Sequence, residues 1–347
     1  MRIVESNNLN EVIKVAVLGY GYWGPHMARN LFQMEGFSLV AIIDLSTERL
    51  KIAAQRFPNV PGFHTLEEAV EAGSLDALII ASPTHTHFDL AIQSLNYGLH
   101  TLVEKPLTTS TEQARALTLL ANKNNCVLMV DHTYLYSPAV EKLRELVDSG
   151  DLGDLIFFDS MRVNLGLFQP DVSVLWDLAV HDLAILGYVT GKWPISVSAV
   201  GGRHQSSNYD AAVFLTLKFS DLFFAHINVS WLSPMKIRRT VLSGSSKTVL
   251  FDDMSVDERI RIYDAGVDAG VDALLEYRLG DVAVPRIPNA EALAIELRHF
   301  RDCIIEGLES RSSGQESVAV IAILQAAQLS AERDGEKIMV NYFGGEE

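Results

Sequence analysis

Short apolar runs alternate with amphipathic helical patterns from the start of the chain to Asp131. The runs are rich in Val, Ile and Leu and nearly continuous, which is typical of strands buried on both faces of a parallel sheet. They cover residues 12–18, 37–43, 75–81, 100–103 and 127–130. The helical patterns cover residues 25–34 and 46–57, a helix that ends at Tyr97, and two helices opened by the capping motifs Thr65-x-x-Glu68 and Ser110-x-x-Gln113. This alternation predicts an α/β fold with a doubly wound parallel sheet.

The pattern changes after a helical stretch at residues 137–147. Short, partly alternating runs then follow one another, mostly without helices between them, at residues 155–163, 195–201, 213–219, 223–229, 238–242 and 248–251. Consecutive strands predict an α+β domain with a large, mostly antiparallel open sheet, covered by its own helices and by another subunit. Helical patterns return at residues 289–306 and 316–333, whereas residues 264–288 show no clean periodicity and are predicted to be a loop region.

Length, composition and charge narrow the class of protein. The 347 residues suffice for two domains, and a hydrophobic content of 48% is that of a globular protein. A net charge of −16 argues against general affinity for nucleic acid or anionic membranes. The two cysteines, Cys126 and Cys303, are expected to be buried thiols of a reduced protein. No apolar run reaches the roughly 18 residues of a membrane span, and residues 1–10 lack a signal-peptide pattern. A cytoplasmic location is therefore predicted.

A glycine-rich turn follows the first predicted strand and opens a helix. Its sequence, Gly-Tyr-Gly-Tyr-Trp-Gly at residues 19–24, has the spacing G-x-G-x-x-G of a dinucleotide-binding turn. Gly19 would allow the tight turn, Gly21 the close approach of a diphosphate, and Gly24 close packing of helix on strand. The turn residues assigned to a cofactor site are Gly19, Gly21, Tyr22, Trp23 and Gly24.

The second predicted strand ends at Asp44, about twenty residues past Gly24. An acid at this place is expected to bind the ribose 2′-hydroxyl of NAD and to repel the 2′-phosphate of NADP, so NAD is favoured over NADP. The alternative is an Asp that caps a helix and binds no ligand. We predict an N-terminal Rossmann NAD-binding domain at residues 1–131, followed by a substrate-binding and oligomerisation α+β domain at residues 132–347.

Polar residues gather at the ends of the predicted parallel strands, where ligands of such sheets bind. These residues are Gly19, Asp44, Ser82, Lys105 and Asp131. The segment Glu104-Lys105-Pro106 is the most unusual of them, because an acid and a base directly follow a buried strand. It either faces a cofactor and a substrate or forms a solvated turn.

Three segments together resemble the glucose–fructose oxidoreductase / inositol dehydrogenase family. They are the turn at residues 19–24, Ser82-Pro83-Thr84 with His87, and Glu104-Lys105-Pro106, and the resemblance continues through the second half of the chain. It implies that Lys105 reaches the nicotinamide ribose and the reacting carbon of the substrate. The residues that it adds to the cofactor site are Ser82, Pro83, Thr84, His87, Glu104 and Lys105.

An apolar helical stretch at residues 175–187 carries Asp177 and His181, which share a face because they are four residues apart. The pair is either a solvated acid–histidine contact or a site where the acid sets the tautomer and basicity of the imidazole. The family resemblance favours the second interpretation, since Asp-x-x-x-His matches the paired substrate-site residues of that family. We predict His181 as the general base and Lys105 as electrostatic help, although the family also admits Lys105 as the base.

Other candidate residues rest on position alone. Tyr134, Arg162 and Asn164 are candidate substrate contacts, with core packing an equal alternative for Tyr134. A catalytic zinc is not expected, because the histidines of the first half lack the spacing of zinc ligands. Those histidines are His85, His87, His100 and His132.

These features predict an NAD(P)-dependent oxidoreductase that transfers a hydride between nicotinamide and a ring carbon of a sugar. The resemblance is nearest to members that act at the 3-position of nucleotide-linked hexoses, and a free sugar, inositol or other polyol is the alternative substrate. A non-catalytic NAD-binding sensor and a hydrolase that uses NAD transiently remain open. We expect a homodimer or homotetramer formed through the C-terminal sheet.

Overall fold

The computed structural model describes residues 12–166, 172–204, 209–269 and 275–343. By their internal contacts these residues form two compact units. The first contains the described residues up to Thr133 together with Glu291–Val318, and the second contains those of Tyr134–Ala290 and from Ala319 onward. The domain limits 1–131 and 132–347 stay a prediction, and the units differ from them in that residues 291–318 join the first unit.

The first unit is built on a six-stranded parallel sheet, which confirms the doubly wound fold. Its strands are β1 (Ile13–Leu18), β2 (Phe37–Ile43), β3 (Gly62–Phe63), β4 (Ala77–Ile80), β5 (His100–Glu104) and β6 (Leu128–Asp131). The spatial order is β3-β2-β1-β4-β5-β6, so the direction of winding reverses between β1 and β4. Ligands of such sheets bind at that reversal, beyond the carboxyl ends of the strands. The sequence pattern missed only β3, whose two residues are too short to show periodicity.

Five helices lie between these strands, and two of them, at residues 66–72 and 111–123, start where the sequence predicts capping. The five helices are α1 (Gly24–Gln33), α2 (Thr47–Arg56), α3 (Leu66–Ala72), α4 (His87–Asn96) and α5 (Thr111–Lys123). The Thr65 hydroxyl accepts the Glu68 N–H while the Glu68 carboxylate accepts the Thr65 N–H, which is a complete capping box. Ser110 likewise accepts the N–H of Gln113. Capping therefore satisfies N–H groups that the first helical turn leaves free.

The described strands of the second unit form one nine-stranded sheet. The sheet is largely antiparallel, as the sequence predicts. Its strands are β7 (Leu155–Leu165), β8 (Ser196–Arg203), β9 (Asp210–Lys218), β10 (Phe224–Ser230), β11 (Leu232–Gly244), β12 (Thr248–Asp252), β13 (Ile260–Ala269), β14 (Leu275–Ala283) and β15 (Ile338–Met339). Their order is β14-β13-β12-β11-β7-β10-β9-β8-β15, and only the β7–β10 pair among them is parallel.

Two of these strands correct the prediction of a loop at residues 264–288. Strand β13 extends to Ala269 and pairs with β14 at residues 275–283, while residues 270–274 of the predicted loop lie outside the described residues. The loop prediction was wrong because this edge hairpin is largely solvated on both faces. Glu276 and Tyr277, for example, point to opposite faces of β14 and are both exposed, Tyr277 by 85%. The hairpin therefore lacks the alternation of buried and exposed residues by which a strand is recognised in a sequence. Hydrogen bonds between the main chains of β13 and β14 still hold it together.

A helical layer packs on the second sheet. It contains α7 (Val180–Thr190) and a π-helical turn at Leu175–Ala179 that leads into it, and α6 (Pro138–Asp148) packs on α7. The π-turn packs on β9 and β10, and α7 on β7. The inward residues of β9 and β10 are small or aliphatic and fully buried: Ala211, Val213, Leu215, Leu217, Ala225, Ile227 and Val229.

Two further helices follow β14 along the chain, α8 (Ala292–Glu306) and α9 (Gly314–Glu332). Helix α8 packs on α1 within the first unit, where Glu291 accepts a hydrogen bond and ion pair from Arg29. None of the helices within the described residues has the length and apolar character needed to cross a membrane.

Candidate active site

The turn after β1 requires glycine at two positions. Gly19 has a φ of +94°, and a Cβ there would overlap the backbone carbonyl of Ala81 at the end of β4. A Cβ on Gly24 would overlap the carbonyl oxygen of Gly19, so the first residue of α1 can pack on the turn only as glycine. The turn therefore lies against both strands that flank the reversal of the sheet.

Gly21 leaves open space where a diphosphate would lie. A Cβ built on Gly21 would meet only the guanidinium of Arg49, at 3.8 Å, and that side chain is flexible and half-exposed. No described side chain caps the N-terminus of α1, so its first N–H groups can bind phosphate oxygens. Tyr22 and Trp23, both exposed, flank this space. These residues fit the phosphates of a dinucleotide.

Asp44 joins the end of β2 to the glycine turn. Its Oδ2 accepts the N–H of Tyr20 at 2.7 Å, and its Oδ1 accepts the N–H of Ser46 at 2.8 Å. The Arg49 guanidinium lies 3.5 Å from Oδ2. Ser46, rather than Asp44, accepts the N–H that caps α2. The carboxylate is thus held rigidly beside the turn, with lone pairs left for a ribose hydroxyl.

His87, the first residue of α4, ties together the ends of β4 and β5. Its Nδ1 lies 2.9 Å from the carbonyl oxygen of Pro106, and its Nε2 lies 2.9 Å from that of Ser82. Burial lowers the pKa of His87, although both carbonyl contacts oppose this effect. Pro83 and Thr84 follow Ser82 into a short 3₁₀ turn. His87 therefore positions the 82–84 segment rather than facing solvent.

Glu104 and Lys105 end β5 on the same edge. The Glu104 carboxyl is buried, and its Oε2 accepts the N–H of Lys105 at 3.0 Å. Burial lowers the pKa values of His87 and His132 and raises that of Glu104, and the positive charge of Lys105 adds to the first two shifts and opposes the third, so its ammonium group lies near all three side chains. The Lys105–Pro106 peptide bond is cis. Glu104-Lys105-Pro106 is thus packed into the carboxyl edge of the sheet, which disfavours a solvated turn.

Three acidic side chains meet behind Lys105. Glu104 and Asp131 are register partners at the ends of β5 and β6, and Glu296 joins them from α8. Each of the three is at most 7% exposed. Sequence reasoning placed Asp131 at this edge but missed Glu296. The available signal was an acid inside the apolar stripe of α8, between Leu293 and the buried Leu297 and Phe300.

In the second unit, Asp177 and His181 lie on the helical segment that the sequence predicts. The segment is not a continuous α-helix, because Asp177 lies in the π-helical turn and His181 in α7. The Trp231 indole N–H donates to Asp177 Oδ2 at 3.2 Å. The Tyr134 ring packs edge-on against the His181 imidazole, with centroids 4.8 Å apart. π-Helical turns often occur at functional sites.

Arg162 belongs to a buried ionic network next to His181. Its Nε and Nη2 donate to the two oxygens of Asp182 at 2.8 and 3.2 Å, and Ser160 Oγ donates to Asp182 Oδ1 at 2.7 Å. The guanidinium lies over the Tyr134 ring, 4.4 Å from its centroid. Tyr134 therefore contacts both Arg162 and His181.

Sequence reasoning named Arg162 but missed Asp182 and Ser160. The alternation of β7 carried a signal, because Phe158, Ser160 and Arg162 all face inward. Asn164 lies near the end of β7, where its register with β11 shifts, and is half-buried. The substrate-binding roles of Tyr134, Arg162 and Asn164 stay predictions.

No group of three or more His, Cys, Asp and Glu residues in the described part of the chain is placed to hold a metal ion. His85, His87, His100 and His132 all belong to the first unit, and of these only His87 and His132 are fully buried.

Comparison with known proteins gives consistent matches along the chain. Residues 13–132 match the GFO/IDH/MocA model described as an oxidoreductase family with an NAD-binding Rossmann fold, and residues 140–250 match the model of the GFO/IDH/MocA C-terminal domain. Together these two matches cover more than half of the chain.

Two relatives align with most of the chain. UDP-N-acetylglucosamine 3-dehydrogenase of Acidithiobacillus ferrooxidans is 28% identical over 306 residues, which are 86% of this chain and 87% of that protein. The scyllo-inositol 2-dehydrogenase (NAD(+)) of Bacillus subtilis is 25% identical over 309 residues, which are 85% and 87% of the two chains. The solved structure of GenD2 from gentamicin A biosynthesis in complex with NAD has a TM-score of 0.81 at 23% identity, over 98% of this chain and 100% of that one, and shows likeness of fold.

Proposed function

The chain belongs to the GFO/IDH/MocA family of oxidoreductases, and from this premise we propose that it oxidises or reduces the 3-position of a nucleotide-linked hexose with NAD. The observation that carries the proposal is the place of Lys105, on the carboxyl edge of a sheet whose glycine turn has room for a diphosphate. The similarity to a UDP-N-acetylglucosamine 3-dehydrogenase supports the choice of substrate.

The proposed cofactor site consists of the glycine turn, Asp44, the 82–84 segment with His87, and Glu104 with Lys105. Asp44 would accept a hydrogen bond from the adenosine ribose, and its negative charge would oppose a 2′-phosphate. Arg49, at 3.5 Å from Asp44, partly offsets that charge. NAD is the proposed cofactor because the carboxylate is buried and fixed by two backbone N–H groups, whereas Arg49 is half-exposed.

Bound NAD would supply the hydride acceptor for oxidation of a ring C–H next to a hydroxyl. The hydroxyl proton then needs a base, and we propose His181 for this role, with Lys105 as a positive charge that positions the hydroxyl oxygen. Asp177 and Tyr134 would orient the imidazole. Exchange of the two roles, with Lys105 as the base, is the alternative within the same reaction. Arg162 and Asn164 are proposed as further contacts on the substrate side.

A cofactor-fluorescence screen tests the proposal. The protein is incubated with NAD⁺ or NADP⁺ and with UDP- and dTDP-hexoses, free hexoses and inositols in parallel. Formation of NADH with a nucleotide hexose, and a lower rate with NADP⁺, is the expected result. Net NADH only with an inositol or free sugar would replace the substrate class, for which the inositol dehydrogenase relative is the supporting observation.

Two other outcomes of the same screen would reject the proposed reaction. Product without net NADH would indicate a hydrolase that cycles the cofactor. Binding of NAD without turnover of any sugar would indicate a sensor.

We also propose that the second sheet forms a homodimer or homotetramer interface. Its outward face exposes Phe214, Phe224 and Met161 by 50%, 39% and 38%, which is unusual for large apolar side chains on one sheet face. Light scattering on the purified protein tests this proposal, since a monomer would contradict it.

The free thiols of Cys126 and Cys303 fit the proposed cytoplasmic location.

A further inference from the structure

Glu296 is a fully buried acid to which the described residues donate no hydrogen bond. It is 0% exposed, and both of its carboxyl oxygens are buried without a hydrogen-bond partner in the described part of the chain. Its neighbours along the inner face of α8 are Leu293, Leu297 and Phe300. An ionised carboxylate in such a place would lose its hydration without any compensating donor.

The polar groups that Glu296 faces are themselves acids. Asp131 and Glu104 both lie close enough to influence it, together with the hydroxyl of Thr133. That hydroxyl has one proton and donates it to Asp131 Oδ1. The other oxygen of Asp131, Oδ2, is buried and also lacks a donor among the described residues. The Glu296 carboxyl group, which has no donor among the described residues, therefore lies near one Asp131 oxygen that also lacks a donor.

A proton on one carboxyl group would satisfy both. Two neighbouring buried carboxylates repel each other, and one of them then binds a proton, which can form a hydrogen bond to the other. Asp131 is the better carrier of the charge, because it already accepts the Thr133 hydroxyl. Glu296, to which no described residue donates, is the better acid.

We propose that Glu296 is protonated in the folded protein and donates a hydrogen bond to Asp131, so that the cluster Glu104–Asp131–Glu296 holds two protons and one negative charge. Burial first, and Asp131 second, raise the pKa values of both Glu296 and Glu104 well above their ordinary value. Burial also lowers the pKa of His132 to about 4, so this neighbour is neutral at pH 7. Lys105 adjoins this cluster at Glu104, whose carboxyl accepts the Lys105 N–H.

Glu296 is thus a positioning residue that keeps one negative charge on Asp131, whose register partner Glu104 lies near the Lys105 ammonium. This link to Lys105 rests on the proposed function, whereas the protonation of Glu296 does not. The protonation of Glu296 is tested first, without substrate or cofactor. The link to Lys105 is then tested by measuring turnover.

The first test is the pH dependence of stability of wild type and Glu296→Gln. A carboxyl whose pKa is raised on folding keeps its proton when the unfolded chain has lost it, above about pH 4.5. Stability therefore falls as pH rises from that value toward the pKa in the folded protein, and the unfolding constant grows up to about tenfold per pH unit for each such group. Glu104 contributes the same effect in both proteins.

The expected result is that the ratio of the unfolding constants, wild type over Glu296→Gln, rises by up to about tenfold per pH unit above pH 5. Denaturant unfolding from pH 5 to 8 measures it. Glu306→Gln is the matched control, because Glu306 is an exposed acid on the same helix and should leave the ratio constant. A constant or falling ratio for Glu296→Gln would mean that Glu296 is ionised, and the proposal would be wrong.

A second measurement does not depend on unfolding. Carbon-13 spectra of protein labelled at the Glu side-chain carboxyl should show two protonated Glu carboxyl groups at pH 7, and one of these signals should disappear in Glu296→Gln. Spectra in which all Glu carboxyl groups titrate near their ordinary pKa would overturn the proposal even if the variant were poorly stable.

The link to Lys105 is tested by the pH profile of turnover with the substrate that the fluorescence screen identifies. Glu296→Leu removes the donor, so Asp131 would take up the proton itself and lose its charge. The part of the kcat–pH profile that depends on Lys105 should then move to lower pH, because the ammonium group loses a stabilising negative neighbour. Glu296→Gln, whose amide can donate to Asp131, should restore that part of the profile. An unchanged profile in Glu296→Leu would refute the positioning role alone, whereas the absence of any substrate would refute the proposed function alone.

Discussion

The two units treat buried carboxyl groups in opposite ways. In the second unit, Asp182 accepts three hydrogen bonds, two from the Arg162 guanidinium and one from Ser160, and all three residues are at most 4% exposed. In the first unit, Glu296 is equally buried, yet no described residue donates to it. Burial alone therefore does not decide the charge of an acid. The donors around it do, since Asp182 is stabilised as an anion and Glu296 as an acid.

The difference extends to what each region offers the reaction. The acidic cluster lies behind Lys105, while the Arg162–Asp182 pair supports Tyr134 and, through it, His181. Each region therefore presents one candidate proton carrier with a buried charge arrangement next to it. Variants that disturb one region at a time show which arrangement serves turnover and which serves stability.

The largest expected effect is on turnover in Lys105→Ala. Loss of a positioned proton carrier or of its charge should lower kcat about 10²–10⁴-fold. NAD affinity should change much less than kcat, because the glycine turn and Asp44 keep their contacts although the cofactor loses that of Lys105. Steady-state kinetics and cofactor titration measure both values, and Lys51→Ala, an exposed lysine, is the control. His181→Asn is measured in parallel, and the true base is the residue whose loss removes the pH-dependent limb of kcat. Wild-type turnover by Lys105→Ala would eliminate it from the mechanism.

The next largest effect is on the stability of Asp182→Ala. Removal of one partner of a buried ion pair leaves the other charge uncompensated, which costs about 3–5 kcal/mol of unfolding free energy. Denaturant titration gives this value. Asp148→Ala breaks the exposed ion pair with Arg144 and serves as the matched control, with an expected cost of about 0.2–1 kcal/mol. Equal losses in the two variants would show that the Arg162–Asp182 pair is not effectively buried.

The double variant Arg162→Met with Asp182→Leu separates the pair from its surroundings. Replacement of a buried pair by apolar side chains of similar size is often neutral for stability, so the double variant should recover most of the loss seen in Asp182→Ala. Its turnover should remain lowered if the guanidinium over the Tyr134 ring orients the His181 imidazole. Full recovery of both stability and turnover would assign the pair a dispensable role.

The smallest effect is expected for Glu104→Gln. Because the proposed cluster carries a proton on Glu104, an amide of the same shape should lower the free energy of unfolding by only about 1 kcal/mol or less. Asp182→Asn makes the same chemical change at the paired site and should cost about 1.5–3 kcal/mol, since the lost hydrogen bonds are charged. Thermal or denaturant unfolding at pH 7 compares the two. A greater loss in Glu104→Gln than in Asp182→Asn would reverse the assignment of charge between the two regions.

Local sequence patterns predicted the parts of the fold that depend on neighbours along the chain. The buried strands of the first unit, the Thr65 capping box and the glycine turn follow from spacing within a few residues. Asp44 and Lys105 were found in the same way, because each directly follows a buried strand. The antiparallel sheet of the second unit was predicted from strands that follow one another.

What could not be predicted depends on residues far apart in sequence. The partners of Glu296 lie on β5 and β6, and the spacing of an acid in α8 says nothing about them. The edge hairpin of β13 and β14 is held by main-chain pairing and lacks a buried face, so its side chains carry no strand pattern. The π-turn before α7 adds one residue to a helical turn, which apolar periodicity over a short buried helix does not reveal.

Residues 291–318 belong to the first unit although they follow most of the second unit in sequence, and this order affects folding during synthesis. A ribosome delivers the six parallel strands long before it delivers α8, so the nascent first unit must wait for most of the chain to be synthesised. Until then Asp131 and Glu104 lack the carboxyl group of Glu296, and the surface of α1 that α8 covers stays open to chaperones. Domains usually complete folding in the order of their synthesis. Here the cofactor-binding unit, although first in sequence, would be among the last parts to be completed.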